Sequence, residues 1–203
     1  MKKELVAIYG GTFSPPHIGH IRAAEAFQRA LDPDRLLIIP SAKPPHKAPV
    51  HGAADADRLA MCRLAFSSIP STEISDLELL RKGRSYTVDT LLSLSSRERR
   101  LVMLVGTDMF LSLDTWRRAE EIFALTEIAF IRRESDPDMQ TQLNRKRDEY
   151  TSRYGVCIHE ITCDATVISS SELRRRIAAG ISTEGYLTTE VEAYIQKWHL
   201  YQD

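Results

Sequence analysis

Residues 10–20 read GGTFSPPHIGH and follow residues 5–9, a short apolar run that is typical of a buried strand. Two glycines allow the backbone to turn sharply and to approach a ligand closely, and two prolines stiffen the connection to a helix that begins near His17. Because His17 and His20 are three residues apart, their imidazoles share one face of the first helical turn. Backbone N–H groups and the positive end of the helix dipole lie beside them. The stretch therefore predicts a phosphate-binding site.

The alternative for this stretch is a strand–turn–helix corner with two surface histidines, which is at least as common for an isolated His-x-x-His pair. The glycines, the prolines and the preceding strand favour phosphate binding. No G-x-G-x-x-G dinucleotide fingerprint follows the strand, and no G-x-x-x-x-G-K-[ST] phosphate loop occurs in the chain. Histidines thus stand where such sites usually have a lysine.

The composition predicts one globular domain, residues 1–203, of ordinary apolar content. The formal net charge is −1, whereas a protein that binds duplex nucleic acid is expected to have a strongly basic surface. The three cysteines are widely spaced and form no C-x-x-C pair, which favours reduced thiols over a disulfide framework. The amino terminus shows neither a signal-peptide pattern nor a membrane span. We therefore expect a cytoplasmic protein that binds neither nucleic acid nor membrane.

Apolar runs alternate with helical patterns along most of the chain. The runs predict strands at residues 5–9, 36–39, 101–105 and 128–131, with a weaker one at 156–161. The other patterns predict helices at residues 17–31, 55–68, 87–94, 116–125, 138–154, 169–179 and 188–199. Strands separated by crossover helices form a parallel α/β sheet, which binds ligands outside the carboxyl ends of its strands. Gly10 and Gly106 lie at two such ends.

Two loops after predicted strands carry groups suited to a nucleotide. Residues 41–47, SAKPPHK, place Lys43 and His46 on a proline-stiffened loop, a pattern equally typical of a solvated turn. Residues 106–108, GTD, end in a carboxylate that suits ribose hydroxyls, and Trp116 follows them. A tryptophan there is by default a core residue, and the alternative is a platform on which a ring stacks.

Two predicted helix starts offer further donors. Residues 85–91, SYTVDTL, pass from a loop into a helix with exposed backbone N–H groups, which is also a common polar cap. Residues 169–172, SSSE, have the form of a capping box, and the helix that they open carries Arg174. A well-capped helix with an exposed arginine face is the usual explanation. A serine-rich helix start with an arginine in the next turn is also a second phosphate cradle, and two cradles suit a nucleoside triphosphate.

Six motifs occur in order across nearly the whole chain: GGTFSPPHIGH, SAKPPHK, RLAM, SYTVDTL, GTDMFLSLDTW and ISSSELRRRI. Together they resemble the bacterial nicotinate-nucleotide adenylyltransferases of the HxGH nucleotidyltransferase superfamily. The resemblance implies an α/β fold with a Rossmann-like, doubly wound parallel sheet and a helical C-terminal part. It also implies transfer of AMP from MgATP to nicotinate mononucleotide, which gives deamido-NAD and pyrophosphate in NAD biosynthesis. The chain departs from the family at Ser14, where Asp is usual, and after Arg133, where Glu-Ser replaces the frequent Pro-Gly.

The implied reaction needs no protein nucleophile or base. A phosphate monoester has its second pKa at about 6, so the acceptor phosphate is largely a dianion at neutral pH and attacks directly. Alignment and charge stabilisation are what the protein supplies, and no metal is expected beyond the Mg²⁺ that ATP carries. Catalytic roles are expected for His17, His20 and Lys43. ATP binding is expected of Gly10, Gly11, Thr12, Phe13, Gly106, Asp108, Ser169, Ser170 and Arg174. The mononucleotide is expected to contact His46, Tyr86, Thr87, Trp116, Arg117 and Arg133.

Other functions on the same fold stay open at this point. A nicotinamide-mononucleotide or phosphopantetheine adenylyltransferase, or a cytidylyltransferase, would share the first motif, although Trp116 and SYTVDTL weigh against phosphopantetheine. A nucleotide sensor without turnover would more readily lose one histidine or one cradle, and both are intact here. An aminoacyl-tRNA synthetase is disfavoured because no KMSKS-type loop is present. The sequence leaves the oligomeric state open, a homo-oligomer included.

Overall fold

A single parallel sheet organises the molecule. The computed structural model describes residues 2–42, 52–81, 83–132, 137–163 and 168–202. Its strands are β1 (Glu4–Gly11), β2 (Arg35–Pro40), β3 (Thr72–Ile74), β4 (Arg99–Gly106), β5 (Glu127–Arg132) and β6 (Ile158–Thr162). They pair in parallel in the order β3-β2-β1-β4-β5-β6. The predicted α/β class and doubly wound Rossmann-like sheet are confirmed.

Helices connect the strands and follow them. They are α1 (Ile18–Leu31), α2 (Asp55–Ala65), α3 (Leu77–Arg81), α4 (Thr87–Leu94), α5 (Thr107–Leu111), α6 (Ala119–Leu125), α7 (Pro137–Tyr154), α8 (Ser170–Ala178) and α9 (Thr189–Lys197). The last two form the predicted helical C-terminal part. In the parts of the chain that the structure describes, no helix has the length and apolar character needed to span a bilayer.

Each face of the sheet carries its own core, because side chains of successive strand residues point to opposite faces. On one face Ala7 and Ile38 pack with α1, α2 and α9, and on the other Ile8 and Met103 pack with α4, α6 and α7. Strands covered on both sides read as nearly continuous apolar runs, which is why the sequence revealed β1, β2, β4 and β5.

Strands β1 and β4 are direct neighbours, with Tyr9 opposite Leu104, and the chain leaves them in opposite directions across the sheet. The connection after β1 runs toward one edge of the sheet, and the connection after β4 runs toward the other. A crevice therefore opens outside the carboxyl ends of these two strands, at the topological switch point where open α/β sheets bind ligands.

The structure differs from the sequence prediction at strand β3, at the short helices α3 and α5, which were not predicted, and at the start of α6. Strand β3 was not predicted, because three residues at a sheet edge give too short a pattern. The predicted helix 116–125 begins only at Ala119, which makes that start wrong. Leu113–Thr115 forms a 3-10 turn, and Arg118 has φ +57°, a left-handed conformation that a helix cannot contain. Trp116 consequently lies on a turn before α6.

Candidate active site

The two histidines of the HIGH motif cap helix α1 reciprocally. His17 is the N-cap residue, in extended conformation, and its Nδ1 accepts a hydrogen bond from the Gly19 N–H at 3.2 Å. His20 occupies the third helical position, and its Nδ1 accepts from the His17 backbone N–H, also at 3.2 Å. This is the geometry of a capping box with imidazoles in place of hydroxyl and carboxylate. The ring centroids lie 3.8 Å apart, so the spacing of the two residues brings them together as predicted.

The capping bonds determine which nitrogen of each ring carries hydrogen. A ring nitrogen that accepts a backbone N–H carries no hydrogen of its own, so each neutral imidazole has its hydrogen on Nε2. Nε2–H is therefore the donor atom of both His17 and His20. Two imidazole donors at the start of α1, beside the positive end of the helix dipole, suit phosphate oxygens.

Phe13 shapes the loop that leads to these histidines. It is buried, has φ +46°, and its ring meets the His20 ring edge-on at 5.1 Å between centroids. A Cβ on Gly11 would lie 2.7 Å from the Phe13 ring, so only glycine fits there. The sequence interpretation assigned the sharp turn to the glycines, but both of them end strand β1 and the left-handed conformation falls on Phe13. The glycine is needed for close packing.

Side chains from two distant helices hold the backbone of this loop. Arg58 of α2, only 3% exposed, donates to the carbonyl of Thr12 at 2.8 Å. Arg174 of α8 donates to the carbonyl of Ser14 at 2.7 Å, and the Ser170 hydroxyl donates to the next carbonyl at 2.9 Å. The second predicted phosphate cradle therefore lies directly against the first. A guanidinium has five N–H donors, so Arg174 can hold the loop and still reach an anion.

The start of α8 has the Ser169 half of the predicted capping box. The Ser169 side chain accepts from the Glu172 N–H at 3.1 Å. The carboxylate of Glu172 forms ion pairs with Arg175 and Arg176. Arg174 is turned the other way, toward the loop, so the three consecutive arginines do not act as one exposed face.

A cavity of about 260 Å³ opens at the switch point. The carboxyl ends of β1, β2 and β4, the start of α4 and the turn before α6 form its walls. Eight of the predicted site residues line it: Gly10, Gly11, Thr12, Tyr86, Thr87, Gly106, Trp116 and Arg117. Tyr9 also lines it, and its ring centroid is 6.4 Å from that of His20, so the cavity adjoins the histidine pair.

Arg84 and Arg117 place positive charge beside Tyr86 at the α4 side of this cavity, whose lining also includes Glu78. The Arg117 guanidinium carbon lies 4.5 Å from the centroid of the Tyr86 ring. Hydrogen bonds from Arg84 and Arg117 lower the pKa of the Tyr86 hydroxyl. Tyr86 is also the N-cap residue of α4 and makes no side-chain cap bond to the helix start. Apolar walls, a half-buried tryptophan and a positively charged helix start suit a planar ring that bears a negative group.

Known proteins resemble the chain in sequence or in fold. Residues 8–176 match the cytidylyltransferase-like family. A protein of Marinobacter nauticus described as "probable nicotinate-nucleotide adenylyltransferase" is 38% identical over 96% of this chain and 95% of its own length. The chain belongs to the nicotinate-nucleotide adenylyltransferase family. A Thermoanaerobacter family member of the same description is 31% identical over 100% of this chain and 97% of its own length.

A solved structure outside the bacteria has the same fold. The nicotinic acid mononucleotide adenylyltransferase of Plasmodium falciparum, complexed with NaAD, superposes with a TM-score of 0.75 over 98% of this chain and 97% of that one. Its complex with APC gives a TM-score of 0.74 over the same shares. Sequence identity is 16% in both cases, so the likeness concerns the fold.

Of the residues expected to form the family's site, Asp108 is not part of the cavity lining, and three others fall outside the described residues. Asp108 is exposed in the first turn of α5, one residue beyond the Gly106–Thr107 junction at the end of β4. Lys43, His46 and Arg133 lie outside the described residues. Arg58 contacts the loop but was not among the expected site residues, although the RLAM motif contains it. A buried arginine on an otherwise apolar helix face was the signal for it.

Among the described residues, Glu127, Cys157 and His159 form one group with metal-ligating atoms. It lies at the amino ends of β5 and β6, opposite the cavity. Arg100 donates two hydrogen bonds to Glu127, and His159 Nε2 lies 2.7 Å from the same carboxylate. These partners lower the pKa of Glu127 to about 2, with Arg100 the larger cause. Arg100, Glu127 and His159 thus form an ion cluster that joins β4, β5 and β6 and is separate from the candidate active site.

Proposed function

We propose that the chain transfers AMP from MgATP to nicotinate mononucleotide, giving deamido-NAD and pyrophosphate in NAD biosynthesis. One observation carries the proposal beyond family membership. A cavity suited to an anionic planar ring adjoins a helix start where two imidazole donors converge. A ring-binding space beside a phosphate-binding space is what joining a mononucleotide to ATP requires.

The chemistry is a direct displacement at the α-phosphorus of ATP. A 5′-phosphate oxygen of the mononucleotide forms a bond to that phosphorus, and the bond to the bridging oxygen breaks as pyrophosphate leaves. The acceptor is already an anion, so no side chain has to remove a proton or form a covalent intermediate. The protein aligns two phosphates that repel each other and stabilises the charge that develops on the transferred group.

The phosphate-binding roles follow from the loop and its neighbours. Nε2–H of His17 and of His20 would donate to the phosphates of ATP, with His20 nearest the reacting phosphoryl group. Ser170 and Arg174 would bind the β- and γ-phosphates, and Mg²⁺ would enter with ATP as part of the substrate. Lys43 would act with the two histidines in catalysis. The remaining expected contacts are His46 on the phosphate-rich side, backbone of Gly10, Gly11, Thr12 and Phe13 where the two substrates meet, the Ser169 start of α8, and Gly106 and Asp108 at ribose.

The pyridine ring would stack on Trp116, and its carboxylate would meet the start of α4. Backbone N–H groups around Tyr86 and Thr87 would donate to that carboxylate. Arg117 lies over Tyr86, at 4.5 Å, and adds positive potential at the same place. Arg133 is a second candidate for this role. The donors at the start of α4 and the charge of Arg117 would favour the acid over the neutral amide.

The proposal extends to the domain organisation, the location and the partners of the protein. Residues 1–203 form one nucleotidyltransferase domain that works in the cytoplasm. Its partners are ATP and nicotinate mononucleotide, without nucleic acid or membrane, and a homo-oligomer is compatible with this activity.

The test is pyrophosphate release from MgATP with a panel of acceptors. Nicotinate mononucleotide, nicotinamide mononucleotide and phosphopantetheine are each supplied at matched concentrations. We expect the highest kcat/KM for nicotinate mononucleotide. Absence of pyrophosphate release with every acceptor would refute adenylyl transfer. A higher kcat/KM for another acceptor would identify that acceptor as the substrate.

A further inference from the structure

The last turn of the chain makes a buried contact with the phosphate loop. Tyr201 follows helix α9 and is 4% exposed, and Ser14 is completely buried. Their hydroxyl oxygens lie 2.8 Å apart in a hydrogen bond between residues 187 positions apart in the sequence. The contact joins the C-terminal turn to the loop that ends at His17.

The Tyr201 side chain is itself firmly placed. Its backbone N–H donates to the Gly52 carbonyl at 3.2 Å. A Cβ at Gly52 would come within 2.8 Å of Tyr201 Cδ1 and 3.1 Å of its Cα, so the two backbones are in close contact. Burial raises the pKa of Tyr201 to about 12, which keeps its hydroxyl protonated at neutral pH. Ser14 therefore meets a neutral hydroxyl whose position is fixed by its surroundings.

Two other anchors of the loop, Ser170 and Arg174, differ from Tyr201 in one respect. Ser170 and Arg174 hold loop carbonyls, but they are also the groups proposed to bind the β- and γ-phosphates of ATP. Tyr201 has no such second role in the proposed reaction, so its bond to Ser14 is independent of the substrate.

We propose that Tyr201 is a positioning residue for adenylyl transfer, which acts through Ser14 on the loop that carries His17. The inference rests on the proposed function. Loss of either hydroxyl removes the bond that holds the loop to the C-terminal turn, so the loop shifts from its position. Such a shift moves the imidazoles relative to the α-phosphorus. Alignment controls this reaction, and misplacement by about 1 Å can cost roughly a hundredfold in rate.

The primary test is Tyr201→Phe, which removes one oxygen and keeps the ring. A shift smaller than 1 Å should lower kcat about tenfold and leave KM for both substrates within about twofold. Ser14→Ala removes the other partner and should lower kcat equally. The matched control is Tyr194→Phe, because Tyr194 OH also makes a hydrogen bond from α9 to the body of the protein, with Asp57 at 3.0 Å, but not to the loop. That control should keep the wild-type kcat.

The double variant Ser14→Ala with Tyr201→Phe separates positioning from stability. It leaves no unsatisfied hydroxyl, so Tm should return toward the wild-type value while kcat stays low. A kcat that recovers together with Tm would show a merely structural contact, as would equal losses of kcat in Tyr194→Phe and Tyr201→Phe. An active wild type with an unimpaired Tyr201→Phe variant would refute this inference alone. An inactive wild type would refute the proposed function and this inference with it.

Discussion

Replacing His20 by glutamine should abolish most of the turnover without opening the helix cap. His20 has two separable functions, since Nδ1 accepts the His17 backbone N–H at 3.2 Å and Nε2–H is the donor proposed for phosphate. Glutamine is a natural residue at this capping-box position, so His20→Gln keeps an acceptor for the cap, and its N–H donors are on a flexible amide instead of a fixed ring. Removing one preorganised donor from a transition state costs about 2.7–4 kcal/mol. We therefore expect kcat to fall roughly 10²–10³-fold.

His20→Ala provides the stability comparison. It loses the imidazole and the cap together, as well as the edge-on contact with Phe13 at 5.1 Å. A lost helix cap costs about 0.5–2 kcal/mol. In a chain of this size 1 kcal/mol shifts Tm by roughly 2–4 °C, so the alanine variant should melt several degrees lower than the glutamine variant.

The two measurements are kcat, from pyrophosphate release at saturating MgATP and nicotinate mononucleotide, and Tm, from circular dichroism. Both variants should lose kcat alike, and only alanine should lose much Tm. A glutamine variant with near-normal kcat would show that His20 serves the cap alone. A loss of kcat that follows Tm across the two variants would lead to the same conclusion.

Three further outcomes are expected. A chirally labelled α-thiotriphosphate should give inversion at phosphorus, and net retention or a trapped AMP–protein adduct would exclude direct attack. Nicotinate mononucleotide should exceed nicotinamide mononucleotide in kcat/KM by about tenfold to a hundredfold, because buried donors left unpaired cost roughly 1–3 kcal/mol each. Arg117→Ala should reduce that ratio. Equal kcat/KM values for the two mononucleotides would contradict acid selectivity. The Glu127 pKa of about 2 lies below its ordinary value of 4.5, so its ion cluster stabilises the fold above about pH 4.5 and loses this effect as pH falls toward 2. Glu127→Gln should lower Tm at neutral pH and have little effect near pH 2, whereas an equal loss at both would contradict the shift.

The fold was largely predictable because its central strands are buried on both faces. Residues 5–9, 36–39 and 101–105 read as continuous apolar runs for that reason. Strand β3 at the edge and the start of α6 were not predictable. A three-residue pairing depends on its neighbour β2, and the left-handed Arg118 before α6 depends on the local turn and leaves no sequence pattern.

The candidate site divides in the same way. The meeting of His17 and His20 was predictable, since residues three apart at a helix start share a face whatever the rest of the protein does. Its reciprocal cap was missed, because histidine is not among the usual capping residues. The contacts of Arg58, Ser170 and Arg174 with the loop join segments far apart in the chain, and no local pattern encodes them.

The helix cap and the loop anchors control different properties of the histidine pair. The cap is local and determines which nitrogen carries hydrogen, because both Nδ1 atoms accept backbone N–H groups. The anchors are distant and determine where the pair lies, because they hold the loop from α2, from α8 and from the C-terminal turn through Tyr201. A short motif can therefore specify the donor chemistry while its position depends on residues throughout the chain. Substitutions at anchor residues should accordingly lower kcat without changing which atom of either imidazole donates.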